Sequence, residues 1–133
     1  MRVESREDPK GKRVLVIEDD REMCGFLEDC LRDSCYRPSV AFDGRSGLDL
    51  ARRLKPELVV LDLLLPEMHG FDVCDAIRKD PELCGSKILV STAKHFEIDR
   101  RVVMRLGADD FLSKPYAVGD FLGRVRRLIG GPA

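Results

Sequence analysis

The sequence has no Cys-x-x-Cys pair, no apolar run of membrane-spanning length and almost no net charge. Each absence removes a class of protein. Five cysteines, Cys24, Cys30, Cys35, Cys74 and Cys84, are an odd number without paired spacing, so neither a zinc cluster nor a closed disulfide framework is expected. With 23 basic and 24 acidic side chains the formal charge is −1, which gives no global pull toward nucleic acid or an anionic membrane. The stretch Met1-Arg2-Val3-Glu4-Ser5-Arg6-Glu7-Asp8 is too polar for a secretory leader. The expected compartment is therefore the cytoplasm, with thiols reduced. No hairpin-length turn joins any two apolar runs, which argues against an antiparallel sheet.

What is present is a five-fold alternation of strand and helix patterns. A charged segment through Lys12, with Pro9 and Gly11, reads as a mobile tail over residues 1–12. Arg13–Ile17 is a buried strand by its β-branched content. A helix follows with Met23, Phe26, Leu27, Cys30 and Leu31 on its apolar stripe, Cys24 off it and Asp20 as N-cap. Pro38–Phe42 reads as the second strand, Asp43-Gly44 as a turn and Arg45–Leu54 as the second helix. The apolar run Leu58–Leu65, interrupted by Asp62 alone, reads as a strand buried on both faces. Phe71–Lys79 is a helix directing Phe71, Cys74 and Ile77 inward, and Lys87–Thr92 is the fourth strand. The fourth helix starts near Ile98, uses Val102, Val103 and Leu106, and closes at Gly107. Asp110–Ser113 and Val118–Ile129 complete the series, with Gly119 and Gly123 weakening the last helix. Residues 130–133 form a natural end or the start of a linker.

Alternation of this kind demands a parallel sheet with helices on both faces, in one α/β domain over residues 13–129. The working site of such a sheet lies at the C-terminal ends of its strands. Those ends carry Glu18-Asp19, Asp62, Ser91-Thr92 and Lys114. Taken singly, each has a plainer reading: a turn, a cap or a solvated lysine. Together they place three carboxylates, a hydroxyl and an ammonium at one edge. Crowded carboxylates repel unless a cation neutralises them, and Mg²⁺ suits a site with few carboxylates. The chemistry such a set fits is phosphoryl transfer onto the Asp62 carboxylate, with the cation, Lys114 and Thr92 meeting the phosphoryl oxygens.

Four segments make the chain resemble a response-regulator receiver domain of two-component signalling, in the CheY-like superfamily. They are Val-Ile-Glu-Asp-Asp at 16–20, Asp-Leu-Leu-Leu-Pro-Glu-Met-His-Gly at 62–70, Ser-Thr-Ala at 91–93 and Gly-Ala-Asp-Asp-Phe-Leu-Ser-Lys-Pro-Tyr at 107–116. The resemblance implies a flavodoxin-like doubly wound (βα)5 fold with strand order 2-1-3-4-5. It implies that Asp62 is the phosphoacceptor for a histidine kinase or phosphotransfer protein, so the domain is a signalling switch rather than an enzyme. Asp19, Asp62 and the Leu64 carbonyl would hold Mg²⁺, with Glu18 acting through a metal-bound water. Thr92, Lys114 and the Ala93 N–H would meet the phosphoryl oxygens, the Lys114-Pro115 bond would be cis, and Thr92 and Phe111 would form the switch.

The output surface implied is the fourth helix, fifth strand and fifth helix, bearing Arg100, Arg105, Asp109, Asp110, Asp120, Arg124 and Arg126. A homodimer or an effector contact is expected there, and no direct nucleic-acid or membrane contact. Leu64 and Lys94 stand where the family tunes dephosphorylation, and neither side chain is suited to hold an attacking water. Three rival readings share parts of this pattern. A phosphohydrolase needs an acid/base where Leu64 stands. A nucleotide- or flavin-binding domain needs a glycine-rich loop where Glu18-Asp19-Asp20 stands. A receiver fold used as an interaction module independent of phosphorylation would have no need of the intact acceptor set.

Overall fold

The computed structural model describes residues 11–93 and 100–131. Its elements run β1 (Arg13–Ile17), α1 (Arg21–Asp33), β2 (Arg37–Ala41), α2 (Gly44–Leu54), β3 (Leu58–Asp62), α3 (Gly70–Lys79), β4 (Lys87–Ala93), α4 (Arg100–Arg105), β5 (Asp110–Lys114) and α5 (Val118–Ile129). All four strand pairings are parallel, in the order β2-β1-β3-β4-β5. The fold class and strand order are those expected from the sequence.

The sheet separates two cores. On one side α2, α3 and α4 bring Leu48, Ala51, Val73, Ile77 and Val103 against Leu15, Ile17, Val59, Leu61, Ile88 and Val90. On the other, α1 and α5 bring Cys24, Leu27, Leu31, Phe121 and Val125 against Val14, Val16, Leu58, Val60, Leu89 and Leu112. The alternation follows from the pleat, which sends successive side chains to opposite faces. The central strand β3 is buried at every position, which is why its sequence is continuous rather than alternating.

Local signals set the helix ends. Asp20 Oδ1 accepts from the N–H groups of Glu22 and Met23 at 3.0 and 3.2 Å, and Asp43 Oδ1 accepts from Ser46 N–H at 2.8 Å. Asp43-Gly44 is therefore an N-cap and first helical residue, not a separate turn. Gly107 follows α4 at φ +114°, a conformation open to glycine. Its carbonyl accepts from Arg78 Nε at 2.8 Å. Arg78 also donates to the Ser86 carbonyl at 2.6 Å and to Asp109 at 2.7 Å, so one guanidinium from α3 fastens the chain before β4 to the chain before β5.

Several expectations change. The stripe of α1 is Cys24, Leu27 and Leu31. Cys30 is half-buried, and Phe26 is 50% exposed. The helix is rotated so that the Cys24 thiol can donate to the Glu18 carbonyl at 3.1 Å. Strand β2 starts one residue earlier than expected and excludes Phe42. Val102 is exposed and Val103 carries the burial of α4; Ile98 lies outside the described residues. Asp109 turns to Arg78 rather than joining the α4–β5–α5 face. Lys12, assigned to the tail, donates through Nζ to the Ile129 carbonyl, and Tyr36 OH donates to the Gly130 carbonyl at 2.8 Å.

Gly123 lies inside α5, is exposed, and has open space where a Cβ would stand. Gly123→Ala is expected to raise unfolding stability by about 0.5–1 kcal/mol, read as a higher urea midpoint at unchanged slope.

Candidate functional site

The parallel register brings the strand ends into one cluster. Strands β1 and β3 are neighbours, so Glu18 and Asp19, just past β1, stand beside Asp62, the last residue of β3. Glu18 and Asp62 are almost closed off from solvent, at 4% and 5% exposure, while Asp19 sits at the rim. Ligand atoms of all three carboxylates lie within 4.8 Å of one another.

A buried pair of acids this close is untenable without positive charge. Lys114, at the end of β5, supplies it. Its Nζ donates to Glu18 Oε1 at 2.6 Å and to Asp62 Oδ2 at 3.2 Å. The remaining oxygens meet backbone donors. Asp62 Oδ1 accepts from Leu64 N–H at 2.9 Å, and Glu18 Oε2 accepts from Asp20 N–H at 3.1 Å. Burial raises the pKa of Glu18; the Lys114 hydrogen bond opposes the rise and the Asp62 charge adds to it. Burial works against the Lys114 charge too, but Glu18 and Asp62 outweigh it and leave the lysine pKa raised. Lys114 is thus firmly protonated at neutral pH.

The bend after β3 is built for closeness. A Cβ on Gly70 would stand 2.5 Å from Leu63 Cα and 2.6 Å from the Asp62 carbonyl, so only glycine lets α3 begin against the acid-bearing strand end. The Leu64 side chain points outward, 42% exposed.

Thr92 and Ala93 end β4, the strand beside β3, with Ala93 the register partner of Lys114. Thr92 is 1% exposed, and its hydroxyl has no hydrogen-bond partner among the described residues. Phe111 is not at the cluster. It packs against the core on the α2–α3–α4 side, under the Arg100 guanidinium at 5.8 Å. The Lys114-Pro115 bond is cis. Lys94 lies outside the described residues.

Sequence reasoning gave no role to Tyr116 or to the side chain of Ser91. The hydroxyls of both are buried without a partner among the described residues. A serine just before Thr92, on a strand whose side chains alternate between faces, was the available signal.

The donor set fits a hard divalent cation. All three acids offer oxygen, two of them from a largely dry wall, and one ammonium leaves the cluster two negative charges in excess.

The family model for the response regulator receiver domain matches residues 14–126. The DNA-binding response regulator MtrA of Mycobacterium tuberculosis is 38% identical over 119 residues, covering 90% of this chain and 51% of that protein. The chain therefore spans about half the length of the curated relatives it matches. The receiver domain of a sensor histidine kinase from Pseudomonas aeruginosa, solved with a magnesium ion coordinated in its active site cleft, is 26% identical. Its TM-score is 0.82, covering 91% of this chain and 99% of that one. The chemotaxis response regulator CheY4 of Vibrio cholerae, 24% identical, covers 89% of this chain and 98% of its own with a TM-score of 0.82. At that identity it supports the fold alone.

If the cluster holds Mg²⁺, the ion stabilises the fold by mass action, by about 1.4 kcal/mol at ten times Kd. The melting temperature should rise by ~4–6 °C, and Asp62→Asn should abolish most of the rise. A rise undiminished in Asp62→Asn places the ion elsewhere.

Proposed function

The chain belongs to the response-regulator receiver family, and from that premise we propose that Asp62 accepts a phosphoryl group from the phosphohistidine of a histidine kinase or phosphotransfer protein. The observation that carries this reading is the Lys114 ammonium bridging Glu18 and Asp62 at 2.6 and 3.2 Å inside a three-carboxylate cluster.

In the step, an Asp62 carboxylate oxygen forms a bond to phosphorus as the phosphorus–nitrogen bond of the donor breaks. The electron pair leaves with the imidazole, and Asp62 becomes an acyl phosphate. Asp19, Asp62 and the Leu64 carbonyl would hold Mg²⁺, with Glu18 reaching it through water; the bound ion would screen the incoming phosphoryl oxygens. Lys114 is positioned to follow a phosphoryl oxygen while keeping Glu18 as a partner. Leu64 N–H fixes the orientation of the acceptor carboxylate through its 2.9 Å bond to Oδ1. The Ala93 N–H and the Thr92 hydroxyl supply neutral donors to the remaining oxygens.

Switching follows from the unpaired Thr92 hydroxyl. A phosphoryl group adds roughly −1.5 to −2 of charge. Thr92 moves to donate to it, and Phe111 repacks into the space vacated. The output surface is α4, β5 and α5. There Asp110 holds Arg124 at 2.9 Å and draws Arg100 and Arg127 to 3.4 and 3.7 Å. A groove of about 470 Å³ beside it, lined by Arg100, Phe111, Pro115, Asp120 and Arg124 among others, suits an effector or a second copy. The domain acts as a cytoplasmic protein module; among the described residues no helix is long and apolar enough to cross a membrane.

Intact-mass measurement after incubation with Mg²⁺ and acetyl phosphate should show one added phosphoryl group, absent without Mg²⁺ and absent in Asp62→Asn. Failure of the wild-type chain to gain the mass overturns the reading in favour of an interaction module that works without phosphate. The phosphoryl group is also expected to be long-lived, because the outward Leu64 cannot hold an attacking water. Decay of the mass within seconds overturns that expectation.

A further inference from the structure

Two hydroxyls near Asp62 have no part in the roles above. Ser91 Oγ and the Tyr116 hydroxyl oxygen are both buried, and neither meets a hydrogen-bond partner among the described residues. A buried hydroxyl without a partner is costly, so two in one region call for a cause.

Their placement suggests one. Along β4 the side chains alternate: Val90 belongs to the α2–α3–α4 core, and Leu89 to the α1–α5 core. Ser91 therefore faces the α1–α5 side, whereas Thr92 faces the other. Ser91 is the register partner of Asp62 on β3 and of Leu112 on β5, so its side chain and that of Asp62 share a face. Tyr116 packs on that same side, its ring stacked on Phe121 of α5 at 5.8 Å and 18°. Tyr116 also lines the 470 Å³ groove, together with Arg100, Phe111, Asp120 and Arg124. One residue thus has its hydroxyl buried near the acid site and its ring at the groove wall. Burial raises the phenol pKa, the Ser91 hydroxyl and Lys114 lower it, and Glu18 and Asp62 raise it. The phenol is within electrostatic reach of all of them.

We propose that Tyr116 is a second aromatic link between Asp62 and the groove, running through Ser91 and the Tyr116 hydroxyl to α5, on the opposite side of the sheet from Thr92 and Phe111. The link rests on the reading of Asp62 as a phosphoacceptor. A phosphoryl group there brings negative charge close to two O–H groups that lean on each other without a well-formed hydrogen bond. Ser91 and Tyr116 turn toward it. The Tyr116 ring moves with its hydroxyl and, being stacked on Phe121, carries the displacement into the first turns of α5 and the groove wall. Phosphorylation then reaches α5 even when Phe111 does not move.

The test uses the chain's own fluorescence. The sequence holds no tryptophan and two tyrosines, so the emission difference between wild type and Tyr116→Phe reports Tyr116. Mg²⁺ and acetyl phosphate are added while intact mass is followed in parallel. Wild-type emission should change in step with the added phosphoryl mass. Tyr116→Phe and Ser91→Ala should gain the mass yet lose more than half of the emission change. Phe111→Ala should keep it. The link is overturned if wild type gains the mass with no change in emission, if the change survives Ser91→Ala, or if it disappears in Phe111→Ala. No phosphoryl mass on wild type overturns the phosphoacceptor reading instead, and the link with it.

Discussion

Two carboxylates that share one dry wall need a cation between them, and Lys114 is that cation. Glu18 comes from the end of β1, Asp62 from the end of β3 and Lys114 from the end of β5. A one-residue slip in any of these strands would turn its side chain to the other face of the sheet and strand a charge. The register is therefore constrained twice, by the two cores and by the charges. A buried ion pair adds little to net stability, since desolvation consumes most of the attraction. Its effect here is to hold two buried acids side by side, next to Asp19 at the rim.

The rest of the molecule keeps this cluster in place while leaving its surroundings able to move. Arg78 shows the rigid part: half-buried, it joins α3 to Gly107, Ser86 and Asp109 by hydrogen bonds of 2.6–2.8 Å. Thr92, Ser91 and Tyr116 show the labile part, three buried hydroxyl oxygens without partners. The saturated arginine contacts tie the edge of the sheet where β4 and β5 begin, while the unsatisfied hydroxyls lie toward the edge where the acids gather. Hydroxyls without partners have the least to lose from moving.

Most of the fold was legible because parallel strands leave an unambiguous mark. Leu58–Val60 and Val14–Ile17 are continuous apolar runs, and acids or hydroxyls at their ends betray the functional edge. Four of the candidate site residues, Glu18, Asp19, Asp62 and Lys114, do converge. What escaped was decided by tertiary fit. Whether Cys24 or Cys30 faces the core depends on the rotation of α1, and both choices satisfy helical spacing. Asp109 read as a surface acid because its partner, Arg78, lies 31 residues away. Tyr116 passed as one more aromatic after a proline, since nothing in the chain order says that a tyrosine ring will span from an acid site to a groove.

The end of α5 has a consequence for wiring. Lys12 and Tyr36 pin the chain at Ile129 and Gly130, near the edge where β1 and β2 begin, whereas the acids gather where the strands finish. A helix of 12 residues separates the two, about 18 Å of rigid rod. A group attached at that end is insulated from the chemistry by the full height of the sheet. That length is roughly twice the ~8 Å Debye length of 0.15 M salt, so little of the acids' field reaches the far end.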